Sequence, residues 1–406
     1  MTTKTGRRGL AGLVLVTLVC GPLSLGGTAH AGSRAAGRLG APAVRTGQAE
    51  ALRTATWSLQ AKLTADDRSV GYNSALAVSG DTAVAGPYVF VRSGTTWSLQ
   101  ATLTAAGSDA RFGSAVALSG DTAVIGDYDK NNGRTTGAAY VFVRSGTTWS
   151  LQAPLIAFDG GIDDQFGWSV AVSGDTAVVG ANFYRGYTGA AYVFVRRSTT
   201  WSLQAQLAAA DGRQGDSLGW SVAVSGTTAL AGAVNAHHTG AAYVFVRRST
   251  TWSQQAELTS TAGYGFAGHA VALSGDTAVL GADANTSNTG AAYVFVRGGT
   301  AWSLQATLTA AGQTSDGFGL AVAVSGDTAV IGAQGTHNNF GAAYVFVRRG
   351  TTWSQQAELT AFDGQINSAF GQDVAVSGGT AVVSSQQIVG GSLVGDAAYV
   401  FVRTGP

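Results

Sequence analysis

The chain has 406 residues, of which 45% are hydrophobic and only 12% charged, against roughly 25% charged in an average soluble domain. Its net charge of +1 and pI of about 7.9 supply no overall excess of Lys and Arg, which argues against a nucleic-acid partner held by phosphate neutralisation, a specific basic patch being the open alternative. With 58 Gly, a single Met and abundant Val, Ala and Thr, the composition favours short strands and tight turns over long helices.

Residues 1–31 have the pattern of an export signal: Lys4, Arg7 and Arg8, an apolar run from Leu10 to Cys20, and Ala29-His30-Ala31 as a cleavage site. The apolar run is too short to span a bilayer. Arg7-Arg8 before Gly-Leu also loosely fits a twin-arginine signal, but a positively charged n-region explains it and the ordinary secretory route is preferred. The only cysteine, Cys20, falls inside this segment, so the mature chain is expected to carry neither thiol nor disulfide. Gly32–Arg53, rich in Ala, Gly and Arg without apolar periodicity, reads as a flexible leader. Residues 54–406 read as one repeat domain.

That domain opens with an isolated amphipathic strand, Trp57–Leu63, and then repeats one unit about every 50 residues, a period that signals radial or stacked architecture. The fullest copy, Phe166–Leu207, contains four strands at Ser169–Val172, Thr176–Gly180, Ala190–Val195 and Trp201–Leu207. The first and third are apolar at nearly every position and so are expected to be covered on both faces, whereas the alternating fourth is expected outermost. A column of small residues in the first strand (Ala77, Ala117, Ala171, Ala223, Ala272, Ala323 and Ala375) suits the crowded inner end of a wedge. YVFVR strands begin at Tyr88, Tyr140, Tyr192, Tyr243, Tyr293, Tyr344 and Tyr399, and outer strands at Trp57, Trp97, Trp149, Trp201, Trp252, Trp302 and Trp353. The counts match but the order is offset, because the last unit lacks an outer strand and the first outer strand lacks a unit. The chain is therefore expected to be all-β: a seven-bladed β-propeller of four-stranded blades, closed by the N-terminal strand completing the last blade. An open-ended β-solenoid would leave the offset unexplained.

The stretch FGWSVAVSGDTAVVGA…GAAYVFV resembles the FG-GAP repeat of integrin α subunits and of many secreted bacterial proteins. The Phe-Gly pair stands at Phe112-Gly113, Phe166-Gly167, Phe318-Gly319 and Phe370-Gly371, with weaker copies at Leu218-Gly219 and Ala267-Gly268. The resemblance implies a propeller covering Ala51 to Arg403. In calcium-binding members the loop between the first two strands is rich in Asp and Asn; here it shrinks to Ser-Gly-Asp or its variants, and one carboxylate cannot supply six to eight oxygen ligands. The family's calcium sites are therefore not expected here.

In such a blade, the first and third turns share one face of the disc, while the two–three loops and inter-blade connections share the other. The first face is nearly constant and carries each YVFVR Arg beside the turn residues Asp81, Asp121, Asp175, Asp276 and Asp327, which suggests Arg–Asp pairs. The second face differs in every copy and holds the remaining Asp, so an acidic face opposite a basic one is expected. At the top of the innermost strand one position varies among fixed neighbours: Ser74, Ser114, Trp168, Trp220, His269, Leu320 and Gln372. A free rim position on a fixed scaffold is where a ligand site would be grafted. Trp168 and Trp220, with Tyr184, Arg185 and Tyr187, are the candidate ligand-binding residues; the alternative is that both indoles only plug the channel.

Other motifs are set aside. Gly215–Leu218 spells GDSL but has no α/β context, and Gly219–Ala223 lacks the strand-to-helix turn of a nucleophile elbow. His237, His238, His269 and His337 have no metal-binding spacing. Asp127–Gly133 has oxygen ligands at alternate positions, but its Gly falls one place late and no Glu completes it; a weak calcium site is the open alternative there. Asp159-Gly160, Asp211-Gly212 and Asp363-Gly364 are explained as turns.

The expected function is that of a secreted, monomeric, non-enzymatic propeller that recognises a protein or glycan through its variable face, without cofactor, metal or transmembrane segment. One rival is a polysaccharide lyase or hydrolase using Asp163, Asp164, Asp216 or Asp373; another is a surface scaffold without a small ligand.

Overall fold

The computed structural model describes residues 55–64, 75–108, 111–129, 136–260, 265–283, 290–310, 317–389 and 392–405. The segments read as export signal and leader, rim residue Ser74 and the Lys130–Gly133 part of the calcium-like loop lie outside them.

The described chain is an all-β propeller of seven four-stranded antiparallel sheets. Blades I to VI span Leu76–Thr102, Ala115–Leu155, Ser169–Leu207, Leu218–Thr259, Ala270–Leu308 and Val322–Leu359. Blade VII takes three strands from Val374–Thr404 and its outer strand from Thr56–Leu63. The N-terminal strand pairs antiparallel with the last one, from Thr56 opposite Thr404 to Leu63 opposite Ala398. Innermost strands neighbour one another around the whole ring, blade VII meeting blade I.

The core lies between blades rather than within them. Along the third strand of blade III, Tyr192 and Phe194 pack with blade II while Ala191 and Val193 pack with blade IV. A strand whose alternate side chains feed two different interfaces has no polar face, which is why YVFV is apolar throughout.

Around this core the blades are joined by repeated inter-blade hydrogen bonds. Near the axis, each first-turn Gly N–H donates to the Ser Oγ of the preceding blade, from Gly120 onto Ser79 round to Gly80 onto Ser377. At the periphery, each of the seven repeat Trp donates Nε1–H to a Gln of the preceding blade, including Trp57 onto Gln356 at 3.0 Å and Trp97 onto Gln60 at 2.8 Å across the closure. Between them lie the YVFVR arginines. Arg196 donates through Nε to Asp175 at 2.7 Å, through Nη1 to Thr122 of blade II at 3.1 Å, and sits 5.3 Å over the Trp201 ring. Corresponding Arg–Asp pairs form at Arg92, Arg144, Arg297 and Arg348.

Two glycine positions set how closely blades approach. A Cβ on Gly180 would lie 2.1 Å from the Gly219 carbonyl oxygen of the next blade, and one on Gly189 would lie 2.2 Å from that of Leu218. Blade VII departs from the pattern. Ser384 occupies the Gly180 place, and where the other blades have a two–three loop the second and third strands continue paired as far as Val389 opposite Ser392. With only two residues left between these partners, Ile388 and Val389 find a β ladder rather than a loop.

Deleting residues 51–63 should open the ring and lower the melting temperature by about 10 °C or more, since it removes a complete strand pairing. Trp57 is half-buried, so Trp57→Ala should cost about 2 kcal/mol, below the range for a fully buried Trp. Gly180→Ala should cost about 3 kcal/mol through overpacking. Denaturant unfolding checks all three, and wild-type curves for the truncation would contradict closure.

Candidate functional site

The six rim residues among those described share one backbone turn and differ in side chain. Each follows a glycine in the left-handed region, such as Gly167 at φ 97° or Gly219 at φ 83°, where a side chain would be strained. Each then donates its N–H to the carbonyl three residues earlier: Ser114 to Arg111, Trp168 to Gln165, Trp220 to Ser217, His269 to Phe266, Leu320 to Gly317 and Gln372 to Ala369. In blade IV the innermost strand is bulged between Leu218 and Ser221, so Gly219 and Trp220 are left out of the ladder. A fixed turn thus aims a free choice of side chain at the mouth of the channel.

The rim side chains of blades III to V, joined by Tyr128 from the two–three loop of blade II, form an aromatic arc. Ring centroids run from Tyr128 to Trp168 at 5.0 Å, Trp168 to Trp220 at 5.1 Å and Trp220 to His269 at 5.6 Å, each pair tilted by 47–55°. Phe183 stacks beside Trp168 at 6.4 Å and 19°, and Tyr187 extends this branch at 4.3 Å from Phe183. Arg111 lies 5.7 Å over Tyr128. Both indoles remain only half-buried.

On the other side of the mouth is a cavity of about 320 Å³ lined by Ala75, Ser114, His269, Leu320, Gln334, Gln372 and Asp373. His269 belongs to both arc and cavity. Asp373 is the one ionisable residue in a column otherwise made of Ala and Ser. Its oxygens accept the N–H groups of Leu76 in blade I at 2.7 Å and of Val374 at 2.8 Å. Burial pushes its carboxyl up to about 6, the two N–H donors only partly opposing the shift.

Of the sequence candidates, Trp168, Trp220 and Tyr187 join this arc, whereas Tyr184 and Arg185 do not. Tyr184 is buried and donates its hydroxyl to Asp159 at 2.6 Å, and Arg185 stacks 5.1 Å over Tyr184 on the outer part of the blade. His269, one of the variable rim positions, also joins the arc, and Tyr128 is a member that the sequence pattern does not single out. Tyr128 falls within the calcium-like Asp127–Gly133 stretch, whose pattern points to oxygen ligands rather than to an aromatic surface.

The Asp-Gly turns also do more than turn the chain. Asp159 accepts from buried Tyr192 at 2.8 Å as well as from Tyr184, and Asp363 accepts from Tyr399 at 2.5 Å and pairs with Lys62 of the closing strand at 2.6 Å. These two inter-blade loops are thereby pinned to the YVFVR tyrosine of the blade they enter. Burial raises both carboxyls, but the hydroxyls, and for Asp363 the Lys62 ammonium, outweigh it and hold them below the ordinary value of 3.8. Burial and Asp159 push the Tyr192 hydroxyl upward.

The carboxylates considered for catalysis divide. Asp164 accepts from Gly161 N–H at 2.5 Å and Asp216 from Arg213 N–H at 2.7 Å, both building their own loops. Asp163 is exposed in the left-handed region at φ 67°. Asp373 alone faces the cavity, on a blade remote around the ring from the other three. Ser217 of the GDSL segment is buried in a loop, and a strand rather than a helix follows.

A family model described as FG-GAP repeat matches six times, at residues 97–142, 149–194, 201–245, 252–295, 302–346 and 353–401. Each match begins at an outer strand and ends in the third strand of the next blade. No curated protein matches the chain. Among solved structures, a chain in the crystal structure of a mitotic checkpoint complex is 13% identical with a TM-score of 0.52, covering 86% of this chain and 94% of that one. A protein of Bacteroides uniformis provisionally described as a 6-phosphogluconolactonase is 14% identical with a TM-score of 0.51, covering 79% and 92%. At these identities the likeness is one of fold.

Two titrations follow. With a folded-state value below 3.8, Asp363 contributes stability that is fully present above about pH 5 and is lost as the pH falls through that lower value. Asp363→Asn should therefore lower stability at pH 7 and flatten its fall in acid, and a pH–stability curve parallel to wild type would contradict the lock. At the cavity, NMR signals of the Leu76 and Val374 amides should shift with a midpoint near pH 6 as Asp373 titrates; a midpoint below 5 would contradict its burial.

Proposed function

The chain belongs to the FG-GAP repeat family, and from that premise we propose that it is a secreted, non-enzymatic binding propeller that recognises a protein or glycan through its variable face. The observation that carries this reading is the channel mouth, where an aromatic arc borders a cavity edged with amide, imidazole and carboxyl groups. Half-exposed aromatic faces suit the apolar faces of a sugar ring, and Gln334, Gln372 and Asp373 suit its hydroxyls. A glycan is accordingly the ligand class this site favours.

A protein ligand is the second reading, supported by where the exposed apolar residues lie. Apart from leucines on outer strands, the large exposed hydrophobics of the described residues stand on variable-face loops: Phe158 and Phe362, 72% and 70% exposed, with Ile156, Ile162, Phe266 and Ile366 among the others. Such patches mark contact surfaces. An enzymatic reading would rest on Asp373. Turnover on a polysaccharide panel, abolished in Asp373→Ala, would establish it.

The double variant Trp168→Ala, Trp220→Ala should keep the wild-type fold by circular dichroism and lose at least about tenfold in affinity on a glycan or cell-wall array, each stacking contact being worth about 1 kcal/mol. Unchanged glycan binding would move the site elsewhere. Binding that depends instead on Phe158 and Phe362 would favour a protein ligand.

A further inference from the structure

Blade IV carries a second cluster, away from the channel mouth, that neither the aromatic arc nor the blade joints account for. Asp211 comes from the loop entering the blade, His237 from its two–three turn and Glu257 from the variable-face end of its outer strand. His237 Nε2 lies 3.2 Å from Asp211 Oδ2 and 3.1 Å from Glu257 Oε1, and the three ligand atoms all lie within 4.8 Å of one another. All three side chains are solvent-accessible, at 40%, 41% and 30%.

Equivalent places in the other blades show what is unusual here. The residue at the Asp211 place is Asp159 in blade III and Asp363 in blade VII, and the residue at the Glu257 place is Gln206 and Lys62. Each of those blades therefore balances one carboxylate with a neutral amide or a cation, as in the 2.6 Å Lys62–Asp363 pair and the Gln206–Asp159 contact at 3.3 Å. In blade VI, His337 reaches Glu358 at 3.4 Å, but the sequence has Gly rather than a carboxylate at the position that corresponds to Asp211. Among the described residues, only blade IV sets two carboxylates around one imidazole. Like charges at this separation repel unless a cation lies between them.

We propose that Asp211, His237 and Glu257 form a binding site for a divalent transition metal of the Zn²⁺ type. One imidazole nitrogen with two carboxylate oxygens is a donor set such ions accept. For a tetrahedral ion with bonds of about 2.0–2.1 Å, neighbouring ligand atoms lie roughly 3.3 Å apart, close to the two separations His237 makes. Three protein ligands leave a fourth position open to water or to a donor atom of a bound ligand. The metal ties the loop entering blade IV to that blade, the task that Tyr184 and Tyr192 perform through Asp159 in blade III. His237, in the left-handed region at φ 52°, is held over the two carboxylates by its turn.

The test uses the mature protein, stripped with chelator and titrated with Zn²⁺ by calorimetry and thermal shift, with Co²⁺ as a spectroscopic probe. Wild type should take up one equivalent, melt at a higher temperature when loaded, and give the visible absorption of four-coordinate Co²⁺. Affinity should fall as the pH is lowered, because protons compete for the ligands. His237→Ala and Glu257→Gln should each weaken binding by about a hundredfold, whereas His337→Ala should leave it unchanged. Glu257→Gln places in blade IV the residue that blade III already carries, so its fold is expected to persist. No stoichiometric uptake by wild type at about 100 μM Zn²⁺, a level a three-ligand site should fill, would overturn the proposal. So would uptake that survives His237→Ala.

Discussion

Every blade depends on having a neighbour on both sides. Because side chains of the third strand alternate between two inter-blade cores, a blade at a free end would expose the apolar row that its missing partner should cover. Only a closed ring covers every row. The N-terminal strand supplies the closure, and it uses the same Trp–Gln bonds as every other joint: Trp57 donates to blade VI and Gln60 accepts from blade I. The seam is built from the repeat's own parts.

Close approach of the blades constrains backbone and face together. Glycines such as Gly180 and Gly189 leave no room for a Cβ against the following blade, and the constant face is tied by Ser–Gly, Arg–Thr and Arg–Asp contacts that leave little freedom to vary. Its arginines are largely answered by turn carboxylates, so the basic character expected of that face is partly neutralised locally. Variation is left to the opposite face, where the rim turn keeps its hydrogen bond whatever side chain it carries.

On that face two of the inter-blade loops are individually anchored. Asp159 and Asp363 each hold a buried tyrosine hydroxyl, which satisfies a polar group that would otherwise be costly inside the sheet. Blade VII meets blade I differently again, through the Asp373 carboxylate on the Leu76 N–H, where Ser384 has replaced the usual glycine. The joint that closes the wheel therefore also puts a titratable group into the channel mouth.

Much of this was legible in the residues themselves. Period, blade count, strand order, the offset that closes the ring and the location of variability all follow from local pattern, because a repeat writes each contact seven times and hydrophobic alternation reports burial directly. Trp168 and Trp220 could be singled out because they break a column of otherwise uniform rim positions. What required the tertiary structure was any relation between different blades or loops. Nothing in the spacing of Asp211, His237 and Glu257 brings them together, nothing in an Asp-Gly pair announces a tyrosine some 30 residues onward, and nothing local separates Tyr187, which joins the arc, from Tyr184, which turns into the blade. Those outcomes depend on which way a turn aims its side chains and on what the next blade presents, and packing alone decides both.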